Sequence, residues 1–363
     1  MAEREKYFDG GENAKLLKNA GSKPKPVKLR WQGGVAPFRL TVKRLPDGKV
    51  FLETKVDGNE AQIDSLETGR EWEWSVCGGG SSVKSVFRTE EKSPRLINID
   101  GAVNVRDIGG WKGLGGRRIR QGLLFRSAGL NRNAPIEYYS LAEVLDFHAQ
   151  GCLAAMGDAG KRHAKALDAG EKLADKDIRL VKRSCFAPGK TTLTKKECRR
   201  LQALYAFKTD LDLRRADEVY GMECSPLGSS VEWVNVSLIG GYGGFSKEET
   251  FECKRRIFRT IFDRNAYPII VHCIGGADRT GMVSFMVEAL LGADDNTLTL
   301  DYLVTGLASG VTDSKHKGWF DSMMRSFKAL PGETNAEKMN GMFLKMGFTQ
   351  QEIDDFREFM LEP

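Results

Sequence analysis

Val271-His272-Cys273-Ile274-Gly275-Gly276-Ala277-Asp278-Arg279-Thr280-Gly281 is the most informative stretch of this chain. It continues Tyr267-Pro-Ile-Ile-Val271, a short apolar run that predicts a buried strand, and leads into Met282 to Leu291, an apolar helical run stopped by Gly292. A strand therefore feeds a helix through a glycine-containing loop with Cys273 at one end and Arg279 at the other. Successive N–H groups of such a loop can converge on an anion, and the helix N-terminus adds positive potential. The glycines let the backbone come close to what is bound. The same field that holds a phosphate favours the thiolate of Cys273, the nucleophilic form. Arg279 can fork to two phosphoryl oxygens and follow them as charge redistributes. Thr280 brings a hydroxyl towards the sulfur, where it would stabilise a departing thiolate. His272 reads as a residue that orients the loop rather than as a base, and Ile274, Gly275, Gly276 and Ala277 supply the backbone facing the anion.

The bare spacing of Cys and Arg is weak evidence, because Glu252-Cys-Lys-Arg-Arg-Ile-Phe-Arg259 repeats it. That second match has no glycine, no preceding strand and no Thr-Gly, and it reads as one charged helix. The first match is distinguished by the conjunction of His272, Gly276, Arg279-Thr280-Gly281 and the strand-to-helix setting. Three more segments occur in order: Asn104-Val-Arg-Asp-Ile-Gly-Gly110, Leu124-Phe-Arg-Ser-Ala128 and Asp210-Leu-Asp-Leu-Arg214. With these, and with Asp301-Tyr302 and the helical segments that follow, residues 95 to 360 resemble the bacterial tyrosine-phosphatase-like family with an HCxxGxDRTG loop.

The resemblance implies an α/β cysteine-phosphatase fold, a central partly parallel sheet flanked by helices. It implies hydrolysis of phosphomonoesters through a phosphocysteine, with no metal or other cofactor, on a phosphorylated protein or a small phosphomonoester. Many members carry Lys where this chain has Ala277, a Lys associated with activity on phosphoinositides, so its absence favours phosphotyrosine. The resemblance makes Asp278 the first choice for the acid that protonates the leaving oxygen. Asp212 is the second choice, and it reads equally as a carboxylate that pairs with Arg214 or caps loop amides. Arg106, Asp107 and Arg126 either line the pocket or form a structural ion network. Glu248 and Glu249 read as favourable first-turn charges of a helix. Hydrolysis of inositol phosphates or phosphoinositides is the runner-up, since residues 131 to 200 are basic. A sulfurtransferase would leave His272, Thr280-Gly281 and the Asp-Leu-Arg segment unexplained, and a catalytically dead phosphoprotein-binding module would not need the complete set.

Outward from that region, the chain has 363 residues, 41% of them hydrophobic, enough for two domains with apolar cores. The net charge of +6 is small, basic in the first 200 residues and acidic beyond, with no run of basic residues interleaved with aromatics, so nucleic-acid binding is not expected. Seven cysteines without CxxC spacing suggest neither a disulfide framework nor a zinc site. No stretch is long and apolar enough for a membrane span, and the charged opening lacks the apolar stretch of a secretory signal. Residues 1 to 26 read as a polar tail or linker. Residues 27 to 91 alternate in short runs around Trp31, Phe38 to Lys43, Val50 to Val56, Ala61 to Leu66, Glu71 to Val76 and Val83 to Thr89, separated by turns such as Pro46-Asp-Gly48. This predicts a small all-β sandwich preceding the α/β domain of residues 92 to 363. On Trp31 and Leu66-Glu-Thr-Gly-Arg-Glu-Trp72-Glu-Trp74 it resembles a fibronectin type III module.

The sandwich offers no nucleophile and is expected to be dispensable for chemistry, a candidate surface for a protein or glycan. It also favours a periplasmic or secreted setting over a cytoplasmic one. In the α/β part, helices are expected over 136–147, 195–206, 247–262, 280–291, 336–346 and 350–360, and buried strands over 208–213 and 266–271. Residues 131 to 190, rich in Ala, Lys and Gly, are expected to be a helical insertion.

Overall fold

The computed structural model describes residues 23–131, 137–178, 180–183, 193–216, 218–219, 222–238, 240–309 and 314–363, so most of the expected N-terminal tail and part of the insertion lie outside the described residues. The chain forms two compact units, one of residues 1–130, 192–214 and 224–363, the other of residues 131–191 and 215–223.

The first unit opens with six antiparallel strands. β1 (Val27–Arg30) pairs with β4 (Glu60–Ile63), while β2 (Phe38–Leu45), β3 (Val50–Val56), β5 (Glu71–Gly78) and β6 (Ser81–Arg88) form a second sheet in the order β3-β2-β5-β6. Alternation decides which side is buried: Phe38, Leu40 and Val42 of β2 and Trp72, Trp74 and Val76 of β5 meet Leu29, Trp31 and Ile63 in one core. Trp31 packs edge-on to Phe38, with ring centroids 5.5 Å apart.

A mixed six-stranded sheet follows. Its strands are β7 (Arg95–Leu96), β8 (Arg106–Asp107) and β9 (Leu124–Ser127), then β12 (Thr209–Asp212), β13 (Glu232–Asn235) and β14 (Ile269–His272), in the order β13-β12-β14-β9-β8-β7. β13, β12, β14 and β9 run parallel, whereas β8 and β7 add antiparallel. Asp212, His272 and Ser127 are register neighbours at the carboxyl ends of the three central strands. The loops that leave this edge are where an open α/β sheet binds its ligands.

Among the described residues, seven helices accompany the sheet: α3 (Lys195–Tyr205), α4 (Phe251–Phe262), α5 (Arg279–Leu290), α6 (Asp295–Ser309), α7 (Ser314–Lys328), α8 (Asn335–Lys345) and α9 (Gln350–Met360). Every residue of α5 after Arg279 is buried, which explains its lack of an amphipathic stripe. Thr334 with Glu337 and Thr349 with Glu352 form capping boxes that set the starts of α8 and α9. Among the described residues no helix is long and apolar enough to cross a membrane.

The second unit contains α1 (Leu141–Ala149), α2 (Gly157–Asp168) and two strands, β10 (Glu137–Tyr138) and β11 (Val181–Arg183), paired antiparallel. The insertion expected to be helical thus contains two helices, and it adds a short strand pair that its Ala-, Lys- and Gly-rich sequence does not announce. The helix expected from residue 136 starts only at Leu141, because Ser140 caps it in a box with Glu143 and the chain before it is extended. The helix expected from residue 247 likewise starts at Phe251, with Glu248 and Glu249 in a short 3-10 turn before it.

The β module is tied to the α/β part by buried and half-buried polar contacts. Arg95 donates to the carbonyl of Ser65 from Nε at 2.9 Å and Nη2 at 2.7 Å, and its Nη1 pairs with Asp107 at 3.0 Å. Gln121 exchanges hydrogen bonds with the backbone of Thr68, Asn98 reaches Asp64 at 2.8 Å, and Arg70 pairs with Glu362. Arg95→Ala leaves Asp107 buried without its cation and should lower unfolding stability by about 3–5 kcal/mol, read from urea denaturation. A loss below about 1 kcal/mol would show that the ion pair does not hold the module.

Candidate active site

Between Cys273 and Ala277 the carbonyl of each residue is held by a donor from outside the loop's own cradle. His272 Nδ1 lies 3.2 Å from the carbonyl of Cys273, and Gly129 N–H donates to that of Ile274 at 2.9 Å. Asn104 Nδ2 donates to Gly275 at 3.1 Å and to Gly276 at 3.0 Å, and Arg126 Nη2 adds a second bond to Gly276 at 2.7 Å. In a planar trans peptide the N–H of the next residue points opposite to the carbonyl. Pinning these four carbonyls therefore turns the N–H groups of Ile274, Gly275, Gly276 and Ala277 the other way, the arrangement of an anion nest. Gly276 has φ +64°, and a Cβ there would stand 2.4 Å from the carbonyl oxygen of Ser127, so the loop can close against β9 only with glycine.

The donors behind the loop belong to one buried cluster. Arg106 Nε and Nη2 reach the carboxylate of Asp301 at 2.6 and 3.1 Å, its Nη1 donates to Asn104 Oδ1 at 2.6 Å, and Arg126 Nη1 pairs with Asp301 as well. All four side chains are buried, so Arg106 and Arg126 support the loop from behind instead of lining a pocket. Asp107 does not reach the loop at all: it faces Arg95 and accepts from the amides of Gly109 and Gly122 at 2.8 and 2.6 Å. Of the two readings open for these three residues, the ion network is the one observed.

A second polar group sits under the strand end. His272 Nε2 is 2.8 Å from Asp210 Oδ1, out of line for a hydrogen bond, and Nδ1 is 3.8 Å from Asp212 Oδ1. Burial alone would depress the imidazolium, but the carboxylates of Asp212 and Asp210 override it and raise its pKa to about 9. His272 is thus cationic at neutral pH, and its Nδ1–H donates to the Cys273 carbonyl. Asp212 accepts from Arg214 N, Nε and Nη2 at 2.7 to 3.1 Å and from Trp233 Nε1 at 3.2 Å. Burial works against its charge, yet His272 and Arg214 hold it below the usual carboxylate range. A carboxylate stabilised as an anion in this way is poorly suited to donate a proton.

Cys273 carries a free thiol, only 3% exposed, whereas Ile274 beside it is 55% exposed. Ala277 is buried, Gly275 is exposed, and Asp278 and Arg279 are half-buried at the start of α5. Arg279 Nη1 donates to the carbonyl of Leu213 at 3.3 Å. Asp278 Oδ1 accepts from the N–H of Tyr242 at 2.7 Å, which ties the loop to Gly240-Gly-Tyr-Gly-Gly244. That glycine segment is anchored at its other end by Lys254 Nζ, which donates to the carbonyls of Gly244 and Phe245 at 2.8 and 2.6 Å. Thr280 Oγ1 is buried with no hydrogen-bond partner among the described residues. A Cβ at position 281 would collide with the Tyr242 hydroxyl at 2.0 Å, so the Thr-Gly pair marks a packing requirement too.

The other Cys and Arg pair lies on α4, where Cys253 Sγ faces the Thr250 carbonyl at 3.0 Å and Arg259 pairs with Glu352. No loop separates them. Residues that sequence reasoning left without a role are Asn104, Asp301, Asp210, Tyr242 and Lys254. Asn104, Asp210 and Asp301 stand within the segments that carry the resemblance, with no local feature that assigns them a role. Among the described residues no group of three His, Cys, Asp or Glu side chains is placed to hold a metal.

The His272 pair carries a pH signature. Because its folded pKa is raised above the ordinary value, its contribution to stability is complete below about pH 6.5 and is lost as pH rises through about 9. Asp210→Asn should flatten that decline: denaturation midpoints of the parent should fall more steeply between pH 7 and 10 than those of the variant. Parallel profiles would show that Asp210 does not sustain the charge.

Residues 97–150 and 187–362 match the tyrosine phosphatase family, which leaves out the β module and residues 151–186 of the second unit. No curated protein matches the chain. The match covers most of the chain and includes the loop, the buried cluster behind it and all seven helices of the first unit, so this protein belongs to the tyrosine phosphatase family, a family of phosphoester hydrolases.

Proposed function

We propose that the protein removes phosphate from phosphotyrosine side chains through a phosphocysteine intermediate. The observation that carries this reading is the position of Cys273, buried at the start of a loop whose four carbonyls from Cys273 to Gly276 are each held by a donor. The thiolate attacks phosphorus, a P–S bond forms, and the bond to the tyrosyl oxygen breaks. Arg279 and the loop amides meet the charge on the three phosphoryl oxygens. Asp278 gives its proton to the leaving oxygen, then takes one from the water that hydrolyses the phosphocysteine. Thr280 Oγ donates to the sulfur as it departs.

Two features favour tyrosine. A nucleophile at this depth suits a phosphoryl group carried on a long flat arm better than one on the short stem of serine. Ala277 adds no ammonium group for the extra phosphates of an inositol ring. Phosphotyrosine peptides should therefore be hydrolysed with a kcat/KM well above those for inositol hexakisphosphate and phosphoinositides. The reverse order would favour the polyanionic substrates.

Cys273→Ser should abolish turnover while inorganic phosphate still binds, since amides and arginine are untouched. Arg279→Lys should lose at least about two orders of magnitude in kcat, because a point charge does not reproduce the fork. Cys253→Ser should behave as the parent. More than a few per cent of parental rate in Cys273→Ser would rule out the covalent route.

The assignment of the acid is tested by leaving groups. p-Nitrophenolate departs with little protonation, whereas a tyrosyl oxygen needs more, so loss of the acid selectively slows the poorer leaving group. Asp278→Asn should slow phosphotyrosine peptide more than p-nitrophenyl phosphate, and Asp212→Asn should lower both rates alike. Selectivity confined to the Asp212 variant would reverse the two roles.

A further inference from the structure

We propose that Asp301 is a positioning residue for catalysis, and that with Asn104 it sets the aim of the phosphate loop without touching substrate. Asp301 lies on α6, far from Cys273 in sequence, and its carboxylate is buried against two guanidinium groups. Its first effect is on Arg106. With Nε and Nη2 of Arg106 committed to Asp301, Nη1 is left to donate to Asn104 Oδ1 at 2.6 Å. An amide whose oxygen faces that donor must turn its Nδ2 the other way, and there it meets the carbonyls of Gly275 and Gly276. Asn104 can hold this place because its backbone is left-handed, φ +57°, a conformation that Asn tolerates better than most residues.

The second effect runs through Arg126. Its Nη1 is held by Asp301, so Nη2 is fixed on the carbonyl of Gly276 at 2.7 Å. The two routes from Asp301 thus converge on one carbonyl, and peptide planarity carries the restraint to the N–H of Ala277 on the opposite side. Asn104 does the same for the N–H of Gly276 through the Gly275 carbonyl. Two of the four amides turned into the nest therefore take their direction from a carboxylate that lies behind the loop.

Preorganised donors contribute to catalysis because they need no rearrangement as charge develops. Loosening them should weaken the grip on an oxyanion whatever ester carries it, so the inference does not depend on tyrosine being the substrate. The decisive measurement is the dissociation constant of inorganic phosphate by calorimetry, with the inhibition constant of phosphate against p-nitrophenyl phosphate beside it. Neither quantity changes when a variant merely contains less folded protein, which separates aim from stability.

Asp301→Asn keeps the size and one acceptor but loses the charge that serves both arginines. Asn104→Asp keeps the size, the tolerance for the left-handed backbone and the bond from Arg106, while it replaces the donor facing Gly275 and Gly276 by an acceptor. Each should weaken phosphate binding at least tenfold and raise KM for p-nitrophenyl phosphate in step, and Asp301→Glu should recover part of the loss. If Asp301→Asn does not fold, Asn104→Asp decides alone. Phosphate binding within twofold of the parent in a folded variant, even with reduced kcat, would overturn the proposal. Failure of the parent itself to bind phosphate would instead count against the proposed function.

Discussion

A peptide N–H can be aimed only by fixing the carbonyl on the other side of its plane, and the loop from Cys273 to Ala277 depends on that constraint. Four consecutive loop carbonyls are occupied from outside, by His272, Gly129, Asn104 and Arg126. Each of these groups comes from a different part of the fold: the end of β14, the segment after β9, the segment before β8, and β9 itself. The mixed sheet brings them to one edge. Its register places Arg106 opposite Arg126 and Ser127 opposite His272, and these pairings carry the donors to the back of the loop.

Sequence reading reached the loop because its information is local. Strand, glycines, arginine and helix follow one another within a short span, and each residue type has a reason to be where it is. The same holds for helices α8 and α9, whose limits fall within a residue of expectation and are fixed by capping residues inside the sequence itself. The residues that aim the loop are different. Asp301 is distant in the chain from both arginines, and although Asp301-Tyr302 belongs to the resemblance, nothing in its own neighbourhood says that it pairs with them. Arg106 and Arg126 likewise read as pocket or network until their partner was placed, because an arginine's role is decided by what it pairs with. Asp107 shows the same limit from the other side. It stands next to Arg106 in a strand, yet alternation sends it to the opposite face, towards Arg95 and the β module. The ties between module and α/β part also join residues far apart, such as Arg70 and Glu362, and leave no periodic trace.

The charges around the loop are arranged in depth. Burial and the neighbouring Asp301 carboxylate push Glu288 well above the usual carboxylate range, against the opposing pull of Arg126 and Arg106. Beneath the strand end, His272 and Arg214 face Asp210 and Asp212, two basic side chains against two acidic ones. Most of the buried cations are therefore neutralised, as they must be, since an unpaired charge at this depth would be severely destabilising. Arg279, half-buried at the loop's exit, donates from Nη1 to the carbonyl of Leu213 at 3.3 Å.

That division has a consequence for turnover. A loop lined by several uncompensated cations would hold inorganic phosphate, the product, about as firmly as the transition state, and binding shared equally by both does not accelerate the reaction. By pairing Arg106 and Arg126 to Asp301, the fold uses them as rigid hydrogen-bond donors, Arg126 to the Gly276 carbonyl and Arg106 to the Asn104 side chain, instead of as charges for the ligand. The amides they direct are neutral donors fixed in orientation, which respond most strongly where oxygen gains charge. A forked arginine can follow the phosphoryl oxygens as they flatten and transfer. Rigid amides behind one adaptable cation are thus a physically consistent way to favour the transferring phosphoryl group over the bound product.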